Sequence, residues 1–364
     1  MNVNLLILRL KKLITYGTAL LLLLLILLQS ERAIIAVQNT LVLCYKTVIP
    51  SLFPFFVLSG ILTAGSFIKT VAKWLSPIMK PVFCVTGAGA LPFVIGIVSG
   101  YPMGASVCAE LYRSGAITRR EAMRLLPFSN NSGPLFIIGA VGTAMLGDPH
   151  VGVVLYGVHI ACAILVGICF RFYHGAERHY ERMPTKKITS AVSFSQIMAN
   201  SVSTMLLVCG FIIFFAVITA CIMPMINSLF PESFSLLVNS ILEVTNGAFT
   251  IVHAPLSPRL MLSFLSAAIG FGGICVMMQV SGIITPVGLS VKTYAVGKAL
   301  HGLLSGIMCY LVYPFASIDV APAFAVIPPI SPAADLTGLV ILLSVAVCLC
   351  LIIPHKKQGK TAKN

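Results

Sequence analysis

The stretch LLPFSNNSGPLFIIGAVG, residues 125–142, places polar and helix-breaking residues inside an apolar segment. These residues stand together near its middle: Ser129, Asn130, Asn131, Ser132, Gly133 and Pro134. A helix that breaks inside a membrane leaves backbone N–H and C=O groups without helical partners. Together with Ser and Asn side chains, such groups can bind a small polar solute. The stretch therefore predicts an interrupted membrane span that carries a binding site.

The composition of the chain indicates a membrane protein. Hydrophobic residues make up 58% of its 364 positions and charged residues only 9%, whereas soluble domains carry roughly a quarter charged residues. The lipid bilayer is therefore the expected surroundings of an all-α polytopic protein. The net charge of +14 does not indicate nucleic-acid binding, because the basic residues form short clusters between apolar spans.

Apolar stretches of about 20 residues predict transmembrane helices. Eight such stretches lie at 5–29, 47–66, 125–147, 150–172, 197–226, 260–284, 293–313 and 334–353. The first resembles a signal peptide, but its apolar region is long and no small-x-small cleavage motif follows it. We therefore expect residues 5–29 to be a retained first span.

Two further apolar stretches, 84–112 and 233–254, differ from the spans because each has a turn near its middle. The turns read VSGYPMGAS and LEVTNGAF. Neither half of either stretch is long enough to cross the hydrocarbon alone. Each stretch therefore predicts a re-entrant helical hairpin, a form that is tolerated where surrounding protein covers its backbone.

The basic residues predict the orientation of the chain. Most of the 24 Lys and Arg residues lie in loops that this count of spans makes cytoplasmic, and we include Lys292 and Lys298 among them. The opposite face keeps Arg32, Lys46 and Arg259. This asymmetry agrees with the positive-inside rule, so both termini are predicted to be cytoplasmic.

The two halves of the chain repeat one order of elements: a hairpin, a linker and an interrupted span. Gly100 lies 29 residues before Ser129, and Thr245 lies 25 residues before Gly270 in the second break, GFGGIC. The first hairpin enters from inside and the second from outside, which predicts an inverted-topology repeat with a midplane site, as in secondary transporters. The predicted segments are a first helix (1–33), first repeat (34–173), basic linker (174–196), second repeat (197–313), external loop (314–333), last helix (334–353) and basic tail (354–364).

The predicted substrate site combines the hairpin tips with the breaks. Its candidate residues are Ser99, Tyr101, Ser129, Asn130, Asn131, Ser132, Gly133, Thr245, Asn246, Gly272 and Gly273. The interrupted segments contain no Arg or Lys, so helix N-termini and hydroxyl groups are expected to bind a substrate carboxylate. Glu243 stands before the second tip. A carboxylate at membrane depth is usually functional, so Glu243 could couple transport to Na⁺ or a proton; alternatively, it is an exposed residue at the outer rim.

Other chemistry finds little support in the sequence. His159 and His301 lie on spans and are most simply packing residues. The cysteines are scattered through apolar segments without a C-x-x-C motif, as expected of small buried side chains. No motif of a hydrolase, metalloprotease or nucleotide-binding enzyme occurs. We therefore expect no catalytic residue, no bound metal and no cofactor apart from a coupling ion.

Four stretches resemble sporulation integral membrane proteins of the YlbJ type, within the Gate or nucleoside-recognition group. They are IPSLFPFFVLSGIL, GIVSGYPMGA, LPFSNNSGPLFIIGAVG and LEVTNGA, and the resemblance covers about residues 34–353. The Gate group is similar in architecture to concentrative nucleoside transporters. The resemblance implies that the chain moves dipicolinic acid from the mother cell across the outer forespore membrane. A nucleoside carrier and a non-transporting scaffold for the spore envelope stay as alternatives, and the sequence does not indicate an oligomeric state.

Overall fold

The computed structural model describes residues 3–64, 67–173 and 193–316, and this part of the chain is helical throughout, with no strand. Its α-helices are α1 Val3–Leu28, α2 Ser30–Leu43, α3 Ile49–Ala64, α4 Phe67–Phe83, α5 Ala90–Ser99, α6 Met103–Arg113, α7 Arg119–Ser129, α8 Pro149–Phe170, α9 Phe194–Leu229, α10 Glu232–Leu242, α11 Val244–Val252, α12 Pro258–Phe271, α13 Gly273–Ile284 and α14 Val291–Val312. A π-helix spans Leu135–Met145. The predicted all-α polytopic class is confirmed.

Four segments of the described residues are long and apolar enough to cross a membrane. They are Pro149–Phe170, Phe194–Leu229, Pro258–Ile284 and Val291–Phe315. Two bent pairs raise the number to six if each pair is one span: Lys12–Leu28 with Ser30–Lys46, at 93°, and Ala72–Phe83 with Gly87–Ser99, at 88°. The predicted total of eight stays a prediction, since the last helix, the tail and most of the external loop and of the basic linker lie outside the described residues.

Two helices occupy segments that the sequence left as connections. Helix α2 follows α1 after a sharp bend at Gln29. Helix α4 is amphipathic: it contains Lys73 and Lys80 among apolar residues, and its Trp74 is exposed. Apolar residues that recur at the helical period of about 3.6 form such a helix once a neighbour covers its apolar face, without a continuous apolar run.

Both predicted hairpins are pairs of short helices. The first consists of α5 and α6, which turn at residues 100–102, and the second consists of α10 and α11, which break at Glu243. With 9 to 11 residues each, these helices are about 14–17 Å long, roughly half the thickness of a hydrocarbon core of about 30 Å. No single hairpin helix can therefore cross the membrane.

Both predicted breaks also occur where the sequence placed them. The first separates α7 from the π-helix over residues 130–134. The second lies between α12 and α13 at Gly272, whose φ of 83° is in the left-handed region that favours glycine. Each hairpin packs against the interrupted helix of its own half, α6 against α7 and α11 against α12. The halves meet where α6 packs against α13 and α7 against α14.

The start of the first interrupted helix is fixed by Glu121. Thr118 caps α7, and its side chain and that of Glu121 form reciprocal hydrogen bonds. The other carboxylate oxygen of Glu121 accepts the N–H of Thr86 at 2.6 Å. Burial raises the pKa of Glu121, but the hydrogen bonds from Thr118 and Thr86 outweigh it, so that the pKa lies below its usual value. Glu121 thereby holds α7 against the start of the first hairpin.

Candidate functional site

The tip of the first hairpin lies directly on the first break. Any side chain at Gly96 or Gly104 would collide with the carbonyl oxygen of Ser129, so α5 and α6 approach the end of α7 on either side. Gly100, with φ of 85°, lies so close to Gly133 that a Cβ on Gly133 would be 3.1 Å from its Cα. The glycines of SGYPMGA and of SNNSGP are therefore required for the backbone of the tip to reach the break.

The four polar residues of the break are closed to solvent. Ser129, Asn130, Asn131 and Ser132 are at most 1% exposed. The Asn130 side chain connects two elements: its Oδ1 accepts the N–H of Ala105 at 3.4 Å, and its Nδ2 donates to the hydroxyl of Tyr294 at 2.8 Å. A substrate can reach these groups only after the hairpin tip and the break separate.

Asn131 has a different set of partners. Its Nδ2 donates to the carbonyl oxygen of Phe128 at 2.7 Å and so caps the last turn of α7. Its Oδ1 bonds to no protein atom among the described residues, and the same holds for the hydroxyls of Ser99 and Ser129. Buried polar atoms in folded proteins nearly always have partners. These three atoms are therefore the best candidates of the break for direct contact with a solute.

Lys298 lies at the centre of the site and not in a cytoplasmic loop, which corrects the sequence-based assignment. It stands about two turns into α14 and is fully buried. Its Nζ donates to the carbonyl oxygen of Asn130 at 3.2 Å and lies 5.6 Å from the centre of the Tyr101 ring. No carboxylate forms an ion pair with it in the part of the chain that the structure describes.

The expectation of helix N-termini and hydroxyls alone did not include a cation at the site. The interrupted segments themselves contain no cation, but tertiary packing supplies one from α14. The sequence carried a signal for it, since Lys298 and His301 are three residues apart in an apolar span and thus share a helix face. A lysine at membrane depth is a functional candidate by default.

Two histidines that the sequence left as packing residues extend this cluster. His301 Nδ1 lies 3.0 Å from Lys298 Nζ, and its Nε2 lies 3.0 Å from the carbonyl oxygen of His159. His159 Nε2 accepts the backbone N–H of Ser132 at 3.1 Å. The centroids of the two rings lie 4.5 Å apart, the ring planes are tilted by 35°, and both rings are buried. Lys298, His301 and His159 therefore form one hydrogen-bonded chain around the first break.

The second hairpin meets the second break in a similar way. A Cβ on Gly273 would lie 3.2 Å from the backbone nitrogen of Val244, so the break between α10 and α11 touches the break between α12 and α13. Gly272 also faces the first hairpin, since a Cβ there would lie 3.1 Å from the hydroxyl of Tyr101. The two breaks are thus joined through one side chain of the first tip.

Glu243 lies at the break of the second hairpin and caps α11. Its two carboxylate oxygens accept the N–H groups of Thr245 at 2.9 Å and Asn246 at 2.8 Å. Glu243 is buried, which differs from the rim alternative, but both of its oxygens already have protein partners. Thr245 and Asn246 contribute backbone N–H groups to this cap, and the Asn246 side chain is exposed.

The candidate residues thus form two groups. The first group surrounds the first break and consists of Ser99, Tyr101, Ser129, Asn130, Asn131, Ser132 and Gly133, together with Tyr294, Lys298, His159 and His301, which the sequence did not place in the site. The second group lies at the second break, where Gly272 and Gly273 meet the hairpin residues Glu243, Thr245 and Asn246. The structure shows no group of three potential metal-binding side chains in its described ranges. The arrangement is suited to binding a solute, with a buried cation and several hydrogen-bonding atoms.

The comparisons with known proteins agree with this architecture. A family model described as Gate, nucleoside recognition, matches residues 45–149, which include the first hairpin and the first break. The chain is 29% identical over 313 residues to the sporulation integral membrane protein YlbJ of Bacillus subtilis (strain 168), with 76% of this chain and 77% of the relative covered. No solved structure matches the chain. The chain is thus an integral membrane protein that is similar to a sporulation protein of the YlbJ type and contains a Gate segment.

Proposed function

We propose that this protein is a secondary transporter of a small organic anion. Dipicolinic acid is the first candidate substrate, moved from the mother cell across the outer forespore membrane during sporulation. The similarity to a sporulation membrane protein supports the setting, and the short paired helices against two breaks support a transport role.

One observation carries the proposal: Lys298 is a fully buried lysine without a carboxylate partner among the described residues. Burying an unpaired ammonium costs several kcal/mol even after the protein relaxes. A substrate anion at the first break would compensate this charge and also accept hydrogen bonds from the unpartnered hydroxyls of Ser99 and Ser129. Dipicolinate, a small, rigid and planar dianion, has two carboxylates for these donors.

The closed packing of the first break supports alternating access. Ser129 to Ser132 are covered by the tip of the first hairpin. At the break itself α5 and α6 make contact through glycine backbones, so that movement of the hairpin away from Ser129 and Gly133 would separate backbone from backbone there. Movement of each hairpin in turn would open the site to one side of the membrane at a time.

A nucleoside carrier is the second candidate, because the family model that matches residues 45–149 is described as nucleoside recognition. A nucleoside is neutral and would leave the charge of Lys298 without compensation. The buried lysine therefore favours an anion. A scaffold without transport activity has no structural feature in its favour.

Uptake into proteoliposomes tests the proposal. Vesicles that contain the purified protein should accumulate labelled dipicolinate and not labelled uridine, and excess unlabelled dipicolinate should compete. Lys298→Met should reduce uptake at least tenfold, whereas Lys292→Met, an exposed lysine of the same helix, should leave it unchanged. Uptake of uridine without uptake of dipicolinate would contradict the proposal and favour the nucleoside carrier.

A further inference from the structure

The hydrogen-bond partners around the first break fix where the protons of its histidines lie. A backbone N–H can only donate, so His159 Nε2, which faces the N–H of Ser132, carries no proton. A carbonyl oxygen can only accept, so His301 Nε2, which faces the carbonyl of His159, must carry one. In its neutral form His301 therefore has a free lone pair on Nδ1, and that lone pair points at Lys298 Nζ.

Lys298 Nζ thus lies between two acceptors, the carbonyl oxygen of Asn130 and His301 Nδ1. The carbonyl oxygen can only accept a hydrogen bond, whereas the imidazole nitrogen can also be protonated. We propose that Lys298 and His301 together hold the proton that couples transport, so that one proton moves with each substrate anion. This inference rests on the proposed function and names the coupling ion and its site.

The surroundings of the pair favour a proton over Na⁺. The ionisable groups that face it are Tyr101 from the first hairpin, His159 from α8 and Tyr294 on α14 itself. None of them is a carboxylate, and a site that contains an ammonium repels a metal cation. The oxygens that would suit Na⁺ belong to Glu243, and both accept backbone N–H groups already.

Other charged residues of the neighbouring helices are held elsewhere. On α7, Glu121 accepts the N–H groups of Thr86 and Thr118. Arg124, on the same helix, donates to the carbonyl oxygens of Cys84 and Tyr173. On α12, Arg259 donates to the carbonyl oxygen of Tyr310. Helix α13 contributes Cys275, whose thiol faces Phe211 and Gln279. The charge of Lys298 therefore depends on the substrate and on its own proton.

The proton balance follows from this geometry. The anion binds while Lys298 is an ammonium, which compensates the charge of one of its carboxylates. When the anion leaves, one Nζ–H bond breaks and its proton passes to water on the side to which the site is open, with His301 Nδ1 as the intermediate acceptor. The neutral amine, which still donates an N–H to His301 Nδ1, returns and takes a proton from the first side.

Simultaneous measurement of proton and substrate fluxes tests the inference. Proteoliposomes with an internal pH dye and a clamped membrane potential receive labelled dipicolinate outside. For the wild type we expect internal acidification at about one proton per dipicolinate. Lys298→Arg keeps the cation but cannot lose its proton, so its proton-to-dipicolinate ratio should fall at least fivefold. Lys292→Arg, exposed on the same helix, should keep the wild-type ratio.

A wild type that takes up dipicolinate without proton movement would overturn the inference and leave the proposed function intact. The same holds if Lys298→Arg keeps the full ratio. If Lys298→Arg takes up nothing, His301→Gln decides, because it keeps a hydrogen-bonding group but cannot take up a proton; its ratio should fall at least twofold, and an unchanged ratio would contradict the inference.

A measurement without substrate separates this inference from the proposed function. Solid-state NMR of protein labelled with ¹⁵N-histidine in lipid should show His159 protonated at Nδ1 and His301 at Nε2. Between pH 5 and pH 9 the signal of His301 Nδ1 should shift in the wild type and stay fixed in Lys298→Arg. A His301 signal that does not change with pH in the wild type would overturn the inference, whether or not dipicolinate is transported.

Discussion

The hydroxyl of Tyr101 donates a hydrogen bond to the carbonyl oxygen of Ile269 at 2.7 Å. Tyr101 belongs to the tip of the first hairpin, and Ile269 lies in the last turn of α12 before the second break. The ring of Tyr101 also lies beneath the ammonium of Lys298. One side chain thus contacts both breaks, so that movement of the first hairpin would displace the end of α12 in the second half of the protein.

Tyr101→Phe should weaken this connection without removing the ring. The loss of a typical hydrogen bond costs about 0.5–1.5 kcal/mol, so we expect a lower melting temperature in detergent and faster hydrogen exchange around residues 268–272. Tyr45→Phe, at an exposed tyrosine, is the matched control. Equal exchange rates in wild type and Tyr101→Phe would show that this bond does not hold the two halves together.

Gly104→Ala should displace the first hairpin from the first break. Its new methyl group would collide with the carbonyl oxygen of Ser129, and overpacking of this kind typically costs about 1–3 kcal/mol. Transport and thermal stability should both fall. Gly157→Ala on α8 meets no atom within 4 Å and should be neutral or slightly stabilising, since alanine favours helix. A Gly104→Ala variant as active as Gly157→Ala would contradict the close packing of the first hairpin against the first break.

Asn130→Ala and Asn131→Ala should differ, although the residues are adjacent. Asn130→Ala leaves the buried hydroxyl of Tyr294 without its donor, and an unsatisfied buried group costs about 1–3 kcal/mol, so the melting temperature should drop. Asn131→Ala removes the cap on the carbonyl oxygen of Phe128 and so loosens the end of α7 that carries the unpartnered Ser129 hydroxyl, and the larger effect should be on the apparent affinity for dipicolinate. Binding and melting curves measured together separate the two effects, and identical curves for both variants would contradict these roles.

Glu243→Gln should act on stability and not on coupling. The carboxylate caps α11 through two backbone N–H groups, and a weakened cap costs about 0.5–2 kcal/mol. Glutamine keeps one carbonyl oxygen, so the loss should lie at the lower end of this range. The pH profile of transport should match that of the wild type. A flattened profile in Glu243→Gln would instead assign the coupling role to Glu243, as its position in the sequence had suggested.

Glu121 should make the stability of the protein depend on acid pH. Burial raises its pKa, but the hydrogen bonds from Thr118 and Thr86 dominate and hold it below the usual 4.5. The stabilisation is therefore fully present above the ordinary value and is lost as the pH falls through the lower native value. Glu121→Gln should show less change in melting temperature across this acid range, and an equal slope in both proteins would contradict the assignment.

The sequence by itself determined the membrane class, the hairpins and the positions of the breaks. In lipid, an apolar run of about twenty residues is stable as a transmembrane helix, because the helix satisfies its own backbone hydrogen bonds. Glycine clusters mark the points where such a helix is interrupted. Gly100, Gly133 and Gly272 accordingly stand at the observed turns and breaks. The inverted repeat and the orientation of the termini stay predictions.

Only the tertiary structure decided which side chains meet at the first break. Lys298 and His301 are 168 and 170 positions from Asn130 and Asn131 in the sequence, and their place depends on how α14 packs against α7 and α8. The positive-inside pattern placed Lys298 with a cytoplasmic loop because it lies near the start of the predicted span 293–313. In the folded protein this face of α14 points inward, because lipid cannot solvate an ammonium group. The backbone carbonyl of Asn130, which has no helical partner at the break, accepts a hydrogen bond from Lys298 instead.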